Sequence, residues 1–276
     1  RYLQIFKGDE IEFPEDGYQG EDIKDLAKEY ADLNGDSLVN VSAEERKKAL
    51  VDYALPKNIK KMQADMEKYK IFYDKWFFES ELHKSGAVKA VVDLLTKKGL
   101  TYEKDGAVWY KNKEVLTQKL LKEGKSQKYI DNLELKDDVL IRQNGNPTYF
   151  TADIAYHKNK FDRGFTTLID VWGADHHGHV MRMKGAMDAI GYDGDKLNVV
   201  LMQLVKLVKD GELVKMSKRT GKAIQLGDLL DEVPVDSARF LFNTKEANTQ
   251  MDFDLDLAVS QDNQNPVYYV QYAHAR

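Results

Sequence analysis

Thr167-Leu168-Ile169-Asp170-Val171-Trp172-Gly173 is a run of apolar, β-branched and aromatic residues closed by a glycine. It has the composition of a β-strand. A Gly-containing loop follows. Apolar residues at helical spacing then run from about Gly178 to Ile190, and a second strand-like run covers Asn198 to Met202. Strand, helix and strand at this spacing make a βαβ unit, which implies a parallel sheet and an α/β fold. A further helix, from about Asp153 to Asp162, leads into the first strand.

Working outward, the upstream third reads as mainly helical. Glu21 to Leu33 carries Ile23, Leu26, Ala27, Tyr30 and Leu33 on one face. Ser42 with Glu45 three residues on is a capping-box signature. The helix it opens is expected to break at Pro56, with a second helix from Ile59 to Leu82. Ser85 is expected to cap a helix carrying Val88, Val91, Leu94 and Leu95 that stops at Gly99. Two hairpins are then predicted, Leu100 to Tyr110 about Asp105-Gly106, and Val139 to Thr151 about Asn144-Gly145. Downstream, Val235 to Phe242 and the tyrosine-rich end read as helices.

Composition narrows the class. The 276 residues carry 32% charged and 42% hydrophobic side chains, ordinary for a globular protein. A net charge of −5 gives no global basic field for nucleic acid, so such a partner must use a local patch. With no cysteine, disulfides and thiolate metal sites are excluded. No signal-peptide pattern or long apolar run is present, and a cytoplasmic location is expected. The chain begins at Arg1 and stops at Arg276 in what reads as mid-element sequence, so both ends look cut.

Two stretches carry candidate chemistry. In doubly wound sheets, nucleotides bind at the carboxyl ends of the strands, where Gly173-Ala174-Asp175-His176 lies. A glycine there lets a ligand approach the backbone, and a carboxylate can accept both ribose hydroxyls. The second stretch is Lys215-Met216-Ser217-Lys218-Arg219. Lys206 to Lys222 holds six basic residues against two acidic ones. Such a loop can hold polyphosphate charge, although on its own it also reads as a solvated basic loop. Asp175, His176, His177 and His179 have zinc-ligand chemistry, but adjacent histidines splay apart and no distant ligand completes a set. No metal site is expected from them.

Lys-Met-Ser-Lys-Arg closely resembles the Lys-Met-Ser-Lys-Ser signature of class I aminoacyl-tRNA synthetases, with Arg219 in place of the last serine. Val171 to His179, Tyr149 to Tyr156, Asp252 to Asp256 and Asn265 to Arg276 resemble segments of bacterial arginyl-tRNA synthetases. His176-His177-Gly178-His179 mimics the family's His-Ile-Gly-His signature. Only 35 residues lie between its last histidine and Lys215, however, and that signature belongs far upstream. The resemblance implies a Rossmann-like sheet half at residues 136–243, a largely helical connecting insertion at 1–135, and the start of a helical stem-contact and anticodon-binding region at 244–276. It implies ATP-dependent activation of arginine and its transfer to tRNA(Arg), with Mg²⁺ assisting. Lys215, Ser217 and Lys218 would be catalytic. Gly173, Asp175, His179, Met216 and Arg219 would bind ATP. Tyr149, Asp153 and His176 would hold arginine, whose guanidinium a carboxylate matches. Without the resemblance, Asp153 reads as the N-cap of its helix.

With the first signature absent from the sequence, the chain alone is expected not to make arginyl-adenylate. Two rival readings stand beside this one. One is a non-enzymatic RNA-binding module using the 206–222 patch. The other is an interaction domain built on the helical first third.

Overall fold

The computed structural model describes residues 1–13, 17, 20–214 and 224–276. The chain packs as two compact units, Arg1–Tyr73 with Val205–Lys245 and Met251–Arg276, and Asp74–Leu204 with Glu246–Gln250. This division is one of packing. The boundaries expected from the motifs divide the chain by role.

The Asp74–Leu204 unit holds the βαβ element. Strands Leu168–Gly173 and Leu197–Met202 pair in parallel, from Leu168 opposite Leu197 to Gly173 opposite Met202. Helix His177–Ile190 connects them and ends on Gly191, whose φ of 104° lies where only glycine is at ease. Met183 and Met187 of that helix are fully buried with Ile154, Leu140, Leu95, Val91 and Tyr110. Gly185 lets the Asn112–Lys122 helix close in, since a Cβ at that position would stand 2.6 Å from Leu116 Cδ2. The first strand is two-sided. Leu168 and Asp170 face the core, whereas Ile169 and Val171 are exposed.

The same unit carries a three-stranded antiparallel sheet of Thr101–Lys104, Ala107–Tyr110 and Asp138–Ile141. The first pair is the predicted hairpin. Asp105 (φ 53°) and Gly106 (φ 71°) supply the two positive φ angles that its two-residue turn requires. The second predicted hairpin is cut short: the chain turns at Asn144-Gly145, with the Arg142 N–H donating to the Asn146 carbonyl and the Thr148 N–H to the Leu140 carbonyl, but its return arm forms no strand. Ile141 makes one isolated bridge to Pro147, and the chain then enters the Tyr149–Asp162 helix four residues earlier than expected. Thr148 makes the switch. Its hydroxyl donates to the Val139 carbonyl at 2.7 Å and accepts the Thr151 N–H as the helix N-cap.

Ser85 likewise is not the cap of the Ala87–Lys97 helix. It closes the preceding Glu79–Lys84 helix, with its hydroxyl donating to the Leu82 carbonyl at 3.2 Å. Gly86, at φ 76°, reverses the chain between the two helices.

In the other unit the helix capped by Ser42 runs unbroken from Ala43 to Lys68, through Pro56. The proline forfeits one backbone hydrogen bond, and the turns on either side carry the helix across it. Helix Val235–Phe242 forms, and Pro266–Ala275 makes the tyrosine-rich end helical. Glu212–Leu213, Val205–Lys209 and Met251–Asp254 make a sheet whose first pair turns at Asp210-Gly211 and whose last pair is parallel. Its core is Leu207, Leu229, Leu230, Val233, Ala238 and Phe253. No helix among the described residues is long and apolar enough to cross a membrane.

Candidate functional site

The parallel strands deliver Gly173 to their carboxyl ends, and the chain then makes a tight turn over Ala174–His176 before the next helix. The Asp175 carboxylate folds back into the space a side chain at position 173 would need, since a Cβ there would lie 2.5 Å from Asp175 Oδ1. Gly173 therefore gives room to its own neighbour. Asp175 and His176 are both exposed, with His176 Nε2 3.8 Å from Asp175 Oδ2.

Trp172, the last large residue of the strand, gathers three imidazoles. The rings of His179, His157 and His176 lie 5.3, 6.2 and 6.4 Å from it between centroids. His179 also meets Phe150 edge-on at 5.5 Å, and its Nε2 lies 3.2 Å from Asp153 Oδ2. Asp153 is thus in the second turn of its helix, with its carboxylate turned to a neighbouring element. The N-cap reading of Asp153 is overturned, because Thr148 holds that place. The Asp153 side chain keeps 45% of its exposure, which leaves carboxylate surface free for a ligand. Tyr149, one helical turn earlier and 79% exposed, shares that face of the helix.

Behind this open pair lies a closed one. His157, one turn after Asp153, sends Nδ1 to the Asp153 carbonyl at 2.7 Å and Nε2 to Asp170 Oδ2. Lys160 meets the other oxygen, Asp170 Oδ1, at 2.6 Å. Burial pushes the Asp170 carboxyl up. The hydrogen bond and charge of His157, then those of Lys160, outweigh it and hold the group below its ordinary value. Nothing in the sequence reading selected His157, Lys160 or Asp170. The signal was an aspartate inside an apolar strand, because a buried carboxylate requires partners.

Around the Phe150 ring a third set forms. Arg182 stacks over it at 5.0 Å and reaches Asp138 Oδ1 at 2.8 Å. Burial raises the Asp138 carboxyl above its ordinary value, with Arg182 and then His179 opposing the shift. Asp138 and Arg182 line a cleft of about 500 Å³ with Asn112, Leu116, His177 and Met181.

The structure thus brings Asp153, His179 and, through Trp172, His176 together, with Tyr149 on the same helix face as Asp153. Gly173 and Asp175 stand at the adjoining strand end. Lys215, Met216, Ser217, Lys218 and Arg219 lie outside the described residues. Among the described residues no three His, Asp or Glu side chains converge to hold a metal ion. A half-exposed carboxylate backed by aromatic rings suits a cationic ligand, and the exposed Asp175 carboxylate at the carboxyl end of the strand suits a ribose.

Known proteins resemble this chain in sequence and in fold. The family described as tRNA synthetases class I (R), catalytic domain, matches residues 21–262. The arginine–tRNA ligase of Ruminiclostridium cellulolyticum is 54% identical over 278 residues, which cover all of this chain and 46% of that protein. That of Caldanaerobacter subterraneus is 55% identical over 277 residues, with the same coverage. The chain therefore spans about half the length of the curated relatives it matches. A Campylobacter jejuni structure assigned as an arginyl-tRNA synthetase superposes with a TM-score of 0.82 at 36% identity, covering the whole chain and 57% of that one. A Thermus thermophilus arginyl-tRNA synthetase shares the fold, with a TM-score of 0.67 at 18% identity over the whole chain and 54% of that one. Since the family match takes in most of the sequence, the chain belongs to the arginine group of class I tRNA synthetases, within their catalytic domain.

Proposed function

We propose that the protein carrying this chain is an arginine–tRNA ligase of the cytoplasm. In the first step an arginine carboxylate oxygen attacks the α-phosphorus of ATP, and pyrophosphate leaves. In the second, a terminal ribose hydroxyl of tRNA(Arg) attacks the activated carbonyl, and AMP leaves. Neither step needs a protein nucleophile, so catalysis rests on positioning and on stabilising phosphate charge.

The observation that carries the reading is the half-exposed Asp153 carboxylate, oriented by His179 and flanked by Tyr149 on the same helix face. It presents two oxygens to a planar guanidinium fork. Tyr149 and His176 complete the arginine pocket in this reading. Gly173 and Asp175 take the adenosine. His179 stands between the two substrates, touching Asp153 while forming the rim of the ATP site. Lys215, Ser217 and Lys218 are assigned to the phosphates, and Met216 and Arg219 to ATP, on the strength of the signature alone. Mg²⁺ would arrive with the nucleotide. Among the described residues no three His, Asp or Glu side chains stand ready to hold it.

The test is ATP–pyrophosphate exchange by the whole protein that carries this chain, with tRNA(Arg) present. Exchange that depends on arginine and not on lysine or citrulline is expected. Exchange driven by another amino acid, or none at all, contradicts the reading.

A further inference from the structure

We propose that His157 is a positioning residue that, held by Asp170, fixes the helical turn presenting Asp153 to the amino acid. The inference rests on the arginine-pocket reading and deepens it.

His157 is 3% exposed, so it touches no substrate, yet both of its ring nitrogens are engaged. Nδ1 faces a backbone carbonyl and Nε2 faces a carboxylate oxygen. Both partners are oxygen atoms within hydrogen-bond reach of the ring. The carbonyl is that of Asp153 itself. The carboxylate belongs to Asp170, on the strand that ends at Gly173. One imidazole thus bolts the helix bearing Asp153 to the strand whose end carries the adenosine side of the site. Asp170 is held in turn by Lys160, one turn further along the helix of His157, so the strand carboxylate grips that helix at two places.

The ring of His157 also stands at 90° to Trp172, which packs against His179, the partner of Asp153. The chain of contacts runs Asp170, His157, then the Asp153 backbone on one side, and His157, Trp172, His179, then the Asp153 side chain on the other. Both ends of the Asp153 residue are therefore set from His157. A merely space-filling histidine would need neither hydrogen bond.

The test uses the whole protein that carries this chain. His157→Gln, Asp153→Asn and the double variant are compared by titration calorimetry with arginine and, separately, with ATP. His157→Gln is expected to weaken arginine binding roughly tenfold while ATP binding stays within about twofold, since only the Asp153 turn loosens. Because His157 acts through Asp153, the double variant is expected to bind arginine no more weakly than Asp153→Asn alone. Additive losses, or equal losses for arginine and ATP, assign His157 a general structural part and overturn the inference. An arginine affinity lost in Asp153→Asn but unchanged in His157→Gln overturns this inference alone. An affinity unchanged in both overturns the pocket reading and the inference with it.

Should His157→Gln not fold, histidine-selective ¹⁵N labelling of the unaltered protein gives the same decision. Arginine is expected to shift the His157 ring signals more than ATP does. Signals indifferent to arginine overturn the proposal.

Discussion

Two histidine–aspartate pairs lie one helical turn apart and are built for opposite ends. In His157–Asp170 the side chains are 3% and 8% exposed, and Lys160 occupies the second carboxylate oxygen. In His179–Asp153 the exposures are 17% and 45%. The closed pair has its hydrogen-bonding capacity filled by protein, and a ligand has nothing to exchange with. The open pair has one partner and a free side, so a guanidinium can dock without first displacing a protein cation. The same two residue types thus make a closed brace or a pair open to a ligand, according to what burial leaves unfilled.

The sharpest way to break the comparison is to remove the brace. Asp170→Ala leaves His157 and Lys160 without their anion in a closed space, and a loss of about 3–5 kcal/mol in unfolding free energy is expected. Chemical denaturation measures it. A loss below about 1 kcal/mol would match a surface pair instead. The pH dependence carries the same sign. Asp170 has a folded value below its ordinary one, so its contribution is complete above the ordinary carboxylate range and fades as pH falls through the folded value. The stability gap between the native protein and Asp170→Ala is therefore expected to hold from neutral pH down to about pH 4 and to narrow below it. A gap that widens on acidification contradicts the assignment.

Binding and chemistry should also separate. Lys218 is assigned to charge that develops during the reaction, whereas the open pair is assigned to the ground state. Lys218→Ala in the whole protein is expected to lower kcat by about 10²–10³, with little change in the KM for arginine. A raised arginine KM at constant kcat would place Lys218 with the amino acid and dissolve the distinction.

How far the sequence disclosed this arrangement depends on the range of the forces involved. The βαβ element was legible because apolar periodicity is local, and the first hairpin because Asp105-Gly106 can take the positive φ angles its turn needs. Thr148 was misleading for a local reason as well. One hydroxyl bonds the strand carbonyl behind it and the helix amide ahead of it, so a turn-rich, β-prone stretch passes into a helix where a return strand was expected. Pro56 misled because the helical turns on either side outweigh a one-bond penalty.

The candidate site was proposed at Asp153 and Tyr149 only through the resemblance, since the partner that orients Asp153 stands 26 residues away at His179. The brace was half legible. Asp170 interrupts an apolar strand and so announces a buried charge, and His157 and Lys160 are three residues apart on one helix. No periodicity says that this helix packs against that strand.

The difference between the two pairs is tested most directly by arginine binding to Asp153→Asn. The change is nearly isosteric and removes the charge from the open pair while leaving the brace in place. Because Asp153 is only half buried, the lower end of the range for a truncated ion pair applies, about 2 kcal/mol or roughly thirtyfold in Kd. Calorimetry on the whole protein, with arginine and with its uncharged analogue citrulline, reads it. The account predicts that Asp153→Asn loses arginine affinity and no longer discriminates against citrulline, while ATP binding is retained. Equal arginine affinity in the two proteins, with discrimination intact, would contradict it.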